Sequence, residues 1–410
     1  MKTTKTKKKE LPMEQNLYAG LCSLSVYRGL LKLEPVKALR ELLRKLENGE
    51  GDVDGYADVF YTLTSEGCDS LADYLYNHIR YDESPFAEAA ARGEISGVME
   101  RAARHDLSVL QDLANLPCSE LKGSIASLLP TSWKETVETL PEWNVGTSFS
   151  YDDLVKFYSV NGSGWFARYK AFVWAGGELN PVEHPDFMEE EAMWGYHLQR
   201  NQVIENTRAL MAGKVVNNVL LYGVSGTGKS ATVKAMLGME EFEGLRLIEV
   251  QKEELTDIPQ LVRTLGHRPQ KFIIFIDDLS FDKEDKTFSS LKTILEGGLE
   301  PRPANVAVYC TSNRRHLVRQ NFSDRSGDEI DANETIQDKT SLAERFGLRI
   351  LFSELNKPQF IQMAEELALA KGLNIDHATI QAEAVKWDIR HPSRSPRSAN
   401  QFVASMMAKY

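Results

Sequence analysis

The octapeptide Gly223-Val224-Ser225-Gly226-Thr227-Gly228-Lys229-Ser230 constrains this chain more than any other stretch. It matches Gly-x-x-x-x-Gly-Lys-[Ser/Thr] in full, with an apolar run, Val219–Tyr222, leading in and a helical stretch from about Lys229 to Leu237 leading out. The residue types have chemical reasons. Glycines let backbone N–H groups converge on phosphate oxygens, and a helix N-terminus adds positive potential. Lys229 is placed to reach β- and γ-phosphates, and the Ser230 hydroxyl to ligand Mg²⁺. A Gly-rich turn without a ligand is the plain alternative, and the complete motif between strand and helix argues against it. Downstream, the apolar run Phe272–Ile276 ends in Asp277-Asp278. Two adjacent acids at the tip of a buried strand are costly unless they face a cation or water. Asp277 is expected in the Mg²⁺ shell and Asp278 beside the attacking water, against the bland reading of an acidic turn.

The surrounding pattern is that of an α/β domain. Val219–Tyr222, Leu245–Val250, Phe272–Ile276, Val306–Cys310 and Arg349–Phe352 read as buried parallel strands. Most stretches between them are long enough for the helical crossovers that parallel strands require. Helical patterns near Pro358–Lys371, His377–Trp387 and Ser398–Lys409 follow. The expected fold is a doubly wound parallel sheet over 186–355 with a helical lid over 356–410.

The first half is different. Residues 14–145 read as helix after helix, with Leu30, Leu31, Leu33, Val36, Leu39, Leu42, Leu43 and Leu46 at spacings near three and four. An all-α accessory domain facing its own core fits this pattern better than a partner-binding array, because no fixed-period repeat is present. Residues 146–185 turn aromatic (Tyr151, Phe157, Tyr158, Trp165, Phe166, Tyr169, Phe172, Trp174) and then meet Gly176-Gly177, Pro181 and Pro185. They are expected to form a connector whose rings pack between the halves. Base stacking beside Lys156, Arg168 and Lys170 is the alternative. Residues 1–13, with Lys2, Lys5, Lys7, Lys8 and Lys9, read as a solvated tail rather than a surface for anionic lipid or nucleic acid.

Composition excludes several classes. No apolar run approaches the roughly 18 residues of a membrane-spanning helix, and the Lys-rich start is not followed by a secretory segment. A cytoplasmic protein is expected. Cys22, Cys68, Cys118 and Cys310 form no Cys-x-x-Cys pair, and no His-Glu-x-x-His spacing occurs, so neither a disulfide framework nor a zinc site is expected. The formal net charge of -11 gives no global attraction to nucleic acid.

Across roughly residues 190–405 the chain resembles an AAA+ ATPase. Val306–Asn313 is similar to the sensor-1 strand, which implies that Asn313 positions the lytic water. Ser341-Leu342-Ala343-Glu344-Arg345-Phe346-Gly347 resembles the box carrying the arginine finger, so Arg345 would enter a neighbour's site. A surface arginine paired with Glu344 is the other reading. Arg394-Ser395-Pro396-Arg397 resembles sensor 2, with Arg397 preferred because it opens the last helix and Arg394 second. Trp194-Gly195-Tyr196 lies where AAA+ proteins contact adenine, and a core role for Trp194 and Tyr196 stands beside that. More narrowly, the chain resembles a bacterial family of uncharacterised AAA+ ATP-binding proteins known as a domain of unknown function. The carrying stretches are Asn217–Gly223, Asp277–Phe281, Thr311–Leu317 and Leu342–Leu348. The resemblance supplies no client. One departure is Asp278, where most AAA+ ATPases have Glu. The shorter side chain implies a less firmly held water and slow turnover. Replication initiators and helicase loaders of the superfamily also carry Asp-Asp, so the pair does not imply a dead enzyme.

The resemblance implies an ATP- and Mg²⁺-dependent homo-oligomeric switch or remodeller. A nucleic-acid loader or clamp is a second reading, on Arg314, Arg315, His316 and Arg319 beyond sensor 1 and Arg390, His391, Arg394 and Arg397 near the lid. The net charge disfavours it. A nucleotide-bound scaffold that does not hydrolyse is a third, resting on Asp278. The acidic stretch from Asn321 to Thr340 reads as a surface loop, with contact to a partner as the alternative.

Overall fold

The computed structural model describes residues 13–146, 148–188, 193–281, 287–296, 302–313, 342–391 and 393–410. The N-terminal lysines, Arg314, Arg315, His316 and Arg319, and the acidic stretch 321–340 lie outside the described residues. The chain divides into two units, residues 1–168 and 169–410, each with its own apolar core.

Helices build the first unit: α1 (Met13–Ser23), α2 (Glu34–Glu47), α3 (Val53–Ser65), α4 (Leu71–Arg80), α5 (Pro85–Arg92), α6 (Gly97–Ala114), α7 (Cys118–Leu128), α8 (Lys134–Glu138), α9 (Tyr151–Asn161) and α10 (Gly164–Arg168). In α2, Pro35 occupies the first turn and Val36, Leu39, Leu42, Leu43 and Leu46 fall on one buried face. Buried Asp106 of α6 accepts backbone N–H bonds from Ser25, Val26 and Tyr27 at 2.8, 2.8 and 3.1 Å. It thus satisfies donors at the turn after α1, that of buried Tyr27 among them.

The second unit is built on β1 (Ala171–Ala175), β2 (Glu178–Val182), β3 (Val219–Gly223), β4 (Leu245–Val250), β5 (Lys271–Ile276), β6 (Val306–Ser312) and β7 (Leu348–Phe352). They form one sheet in the order β2-β1-β4-β5-β6-β3-β7, and all neighbours are parallel except β1 and β2. Every residue of β6 is buried, as is every residue of β5 after Lys271. Such unbroken burial belongs to strands covered on both faces. Among the described residues the helices of this part are α11 (His197–Met211), α12 (Lys229–Ala235), α13 (Ile258–Gly266) and α14 (Thr287–Glu296).

The lid consists of α15 (Lys357–Ala370), α16 (His377–Arg390) and α17 (Pro396–Lys409), packed on Phe360, Met363, Leu367, Ile380, Phe402, Val403 and Met406. Asn356 and Gln359 form a reciprocal capping box at the start of α15. Ser395 caps α17, with Pro396 in its first turn. The fold class expected from the sequence, a doubly wound parallel sheet with a C-terminal helical lid after an all-α region, is the one observed.

The aromatic stretch over 146–185 is divided between the two units instead of forming a separate connector. Tyr158 is buried in the first core, while Phe172 and Trp174 are buried in β1. Gly176 and Gly177, both at positive φ, turn β1 back into β2. The physical reason is pairing: β1 lies along β4, with Phe172 opposite Ile248, so the run extends the sheet. Among the described residues no helix is long and apolar enough to cross a membrane.

Candidate nucleotide site

The order of strands places a crevice at the carboxyl ends of β3, β5, β6 and β7. From β3 the chain passes to β4 on one side and returns later as β7 on the other, and ligands of open α/β sheets bind at such a reversal. Strand register aligns the ends: Tyr222 of β3 lies opposite Ser312 of β6, and Ile276 of β5 opposite Cys310.

The glycine-rich loop 223–230 leaves β3 there. Gly223 has φ of 133°, and a Cβ on it would sit 2.1 Å from the carbonyl oxygen of Phe352. Only glycine accommodates both that conformation and that approach. The loop closes on β7 through Val224 N–H, which donates to the same Phe352 carbonyl at 3.1 Å. Gly226 and Gly228 also have positive φ, and the Gly226 carbonyl accepts from the Arg397 N–H of α17 at 3.3 Å. The loop is therefore tied to the sheet at one end and to the lid at its tip. Within it the buried Thr227 hydroxyl donates to the Val224 carbonyl at 2.8 Å.

Lys229 opens α12 and is 5% exposed. Its ammonium donates to the carbonyls of Gly223 (3.0 Å) and Val224 (2.8 Å) and to Oδ1 of Asn313 (2.9 Å). Burial lowers its pKa from the ordinary lysine value; Asp278 and Asp277 oppose that shift and Arg397 adds to it. The carboxylates are held in turn. Oδ1 of Asp277 accepts from Ser230 Oγ (2.5 Å), Thr311 Oγ1 (2.5 Å) and the Asp278 N–H (3.2 Å). Asp278 has φ of 48°, and its Oδ1 accepts from Asn313 Nδ2 at 2.7 Å. Asn313 thus bridges the lysine and the second carboxylate.

These groups line one cleft of about 480 Å³, together with Ser225, Gly226, Thr227, Gly228, Trp194, Tyr196 and Arg397. That volume is within the roughly 300–1,000 Å³ of small-molecule sites. Trp194 lines the cleft and also packs on the lid core. Tyr196 lines it too, with its ring 5.1 Å from that of Phe352 and its hydroxyl donating to the Ser353 carbonyl at 2.6 Å. Burial pushes its phenol up to about 12. Of the two sensor-2 candidates, Arg397 lines the cleft, whereas Arg394 is bound by buried Asp388 at 2.6 Å. Arg345 stands apart: half-buried just before β7, it does not line the cleft of its own chain.

Two residues of this cleft were given no role by the sequence. Arg200 of α11, 5% exposed, donates to the Gly195 carbonyl and meets His197 Nδ1 at 2.9 Å, bracing the turn at which Tyr196 takes φ of 54°. Thr311 joins the Asp277 carboxylate and the Asp278 N–H to β6. The sequence places it two residues before Asn313, and nothing there says that its hydroxyl meets Asp277.

A family model for proteins described as "protein of unknown function (DUF815)" matches residues 167–410. The chain belongs to that family. It is the kind of family the sequence resembled, one known only as a domain of unknown function. No curated protein matches the sequence. Solved structures similar to this DUF815 chain include the RuvB Holliday junction branch migration motor of Thermotoga maritima, at 15% identity and a TM-score of 0.35 over 53% of this chain and 63% of that one. Another is the Orc1 protein of Aeropyrum pernix in complex with DNA, at 16% identity and a TM-score of 0.34 over 56% and 67%. The chain spans less than two thirds of the RuvB chains' length, 61% and 63% for two of them.

Proposed function

We propose that this protein binds ATP in the cleft and hydrolyses it with Mg²⁺, in an assembly where Arg345 of one copy completes the site of another. The observation that carries this reading is the convergence of Lys229, Asp277, Asp278, Asn313 and Arg397 around a glycine loop at the carboxyl edge of the sheet. Lys229 and Arg397 supply positive charge where β- and γ-phosphate oxygens would lie. Ser230 and Asp277 offer adjacent hard oxygen donors, suited to Mg²⁺, whose contribution when bound is to neutralise charge on phosphate oxygens. Asp278 is the group to polarise a water, and Asn313 orients its carboxylate. Trp194 and Tyr196 provide apolar ring surface for a base. Arg345, which does not line its own chain's cleft, fits a finger supplied in trans.

Steady-state ATPase activity measured across protein concentration tests this. Specific activity is expected to rise with concentration, to vanish in Lys229→Ala and Asp278→Asn, and to fall on the order of 10³-fold in Arg345→Ala. Tight ATP binding without turnover at any concentration would replace the hydrolase with a nucleotide-bound scaffold.

A further inference from the structure

We propose that Thr311 is a positioning residue that fixes the metal-binding face of Asp277 and the backbone of Asp278 through one hydroxyl. The inference rests on the nucleotide reading above and adds a residue that the phosphate-loop and acidic motifs do not contain.

Thr311 is the penultimate residue of β6 and is 1% exposed. Because Ile276 pairs with Cys310, the next residues along both strands, Asp277 and Thr311, come side by side. A hydroxyl has one proton to give and lone pairs to receive. Thr311 uses both capacities on the acidic pair, donating to Asp277 Oδ1 at 2.5 Å and accepting from the Asp278 N–H at 2.9 Å. The first bond holds Oδ1 of Asp277 where Ser230 Oγ also reaches it at 2.5 Å, so the carboxylate cannot swing away from Ser230 without losing a buried partner. The second anchors the residue that adopts φ of 48°, a conformation non-glycine residues keep only when neighbours hold it. Asn313 then needs only to fix the tip of the Asp278 side chain. Adjacent Ser312 serves a different purpose, donating to the Leu279 carbonyl at 2.8 Å and securing the turn.

Removing a group that orients a metal ligand typically costs about 10–100-fold in metal affinity or activity. The test is the affinity of the full chain for a non-hydrolysable ATP analogue, AMP-PNP, by calorimetry in EDTA and across a Mg²⁺ series. Thr311→Val keeps the side-chain shape and removes the hydroxyl; Thr311→Ser keeps the hydroxyl. Thr311→Val is expected to bind the analogue in EDTA as the unmodified chain does, while needing about 10–100-fold more Mg²⁺ for the metal-dependent gain. Thr311→Ser should restore the Mg²⁺ requirement. A misfolded variant would lose EDTA binding as well, in which case Thr311→Ala supplies the same comparison. Unchanged Mg²⁺ dependence in a hydroxyl-free variant that still binds in EDTA would overturn the proposal. An unmodified chain that binds no analogue in either buffer would overturn the nucleotide reading itself, and this inference with it.

Discussion

Gly223 occupies a backbone state that a side chain cannot share. Its φ of 133° lies outside the regions open to L-residues, and its Cβ position is 2.1 Å from the Phe352 carbonyl oxygen. Replacement by alanine must therefore open the junction of β3 with β7 or twist the loop out of line. Gly223→Ala is expected to lose about 2 kcal/mol or more of stability and to bind AMP-PNP far more weakly, read by thermal melting and calorimetry. A variant that melts and binds like the parent would remove the close approach from the account of the loop. This position was legible in the sequence because the motif's spacing encodes the same backbone demand. Thr311 was not. Its role comes from two strand tips paired across 34 positions, and nothing in a run of apolar residues says which hydroxyl will face which carboxylate. Arg200 was hidden for a similar reason, since its acceptor is the carbonyl of a turn fixed only by the fold.

At the level of elements, burial on both faces made β5 and β6 readable as continuous apolar runs. The first two strands escaped because β1 is short and aromatic and is followed by Gly176-Gly177, a pair that marks a hairpin as well as a break. Only β4, distant in sequence, decides between them by pairing with β1. The lid contributes to the site through one helix. Helix α17 buries Phe402 at 2% exposure against the lid core, with Trp387 5.9 Å away edge-on. The same helix places Arg397 in the cleft and bonds the glycine-rich loop through the Arg397 N–H. Phe402→Ala should cost roughly 3–5 kcal/mol of lid stability. Because α17 carries Arg397, AMP-PNP affinity is expected to fall as well, although no residue touching the loop has changed. Near-parental affinity in a chain whose lid has become protease-sensitive would uncouple α17 from nucleotide binding.

On the scale of the whole molecule, the proposed function gives Arg345 its role in the site of a second copy. A guanidinium that does not line its own chain's cleft can complete a phosphate site only through association. On the proposed function, each working site combines the Lys229 of one copy with the Arg345 of another. Two inactive variants should then complement each other. In an equal mixture of Lys229→Ala and Arg345→Ala chains, a site works when the intact lysine of the second variant meets the intact arginine of the first. Random head-to-tail assembly puts about a quarter of all sites in that state. ATPase activity should therefore appear on mixing two preparations that are each near background, and should depend on total protein concentration. Should Arg345 serve only the packing of its own chain, mixing would restore nothing, because every intact phosphate loop would still sit in a chain lacking that arginine.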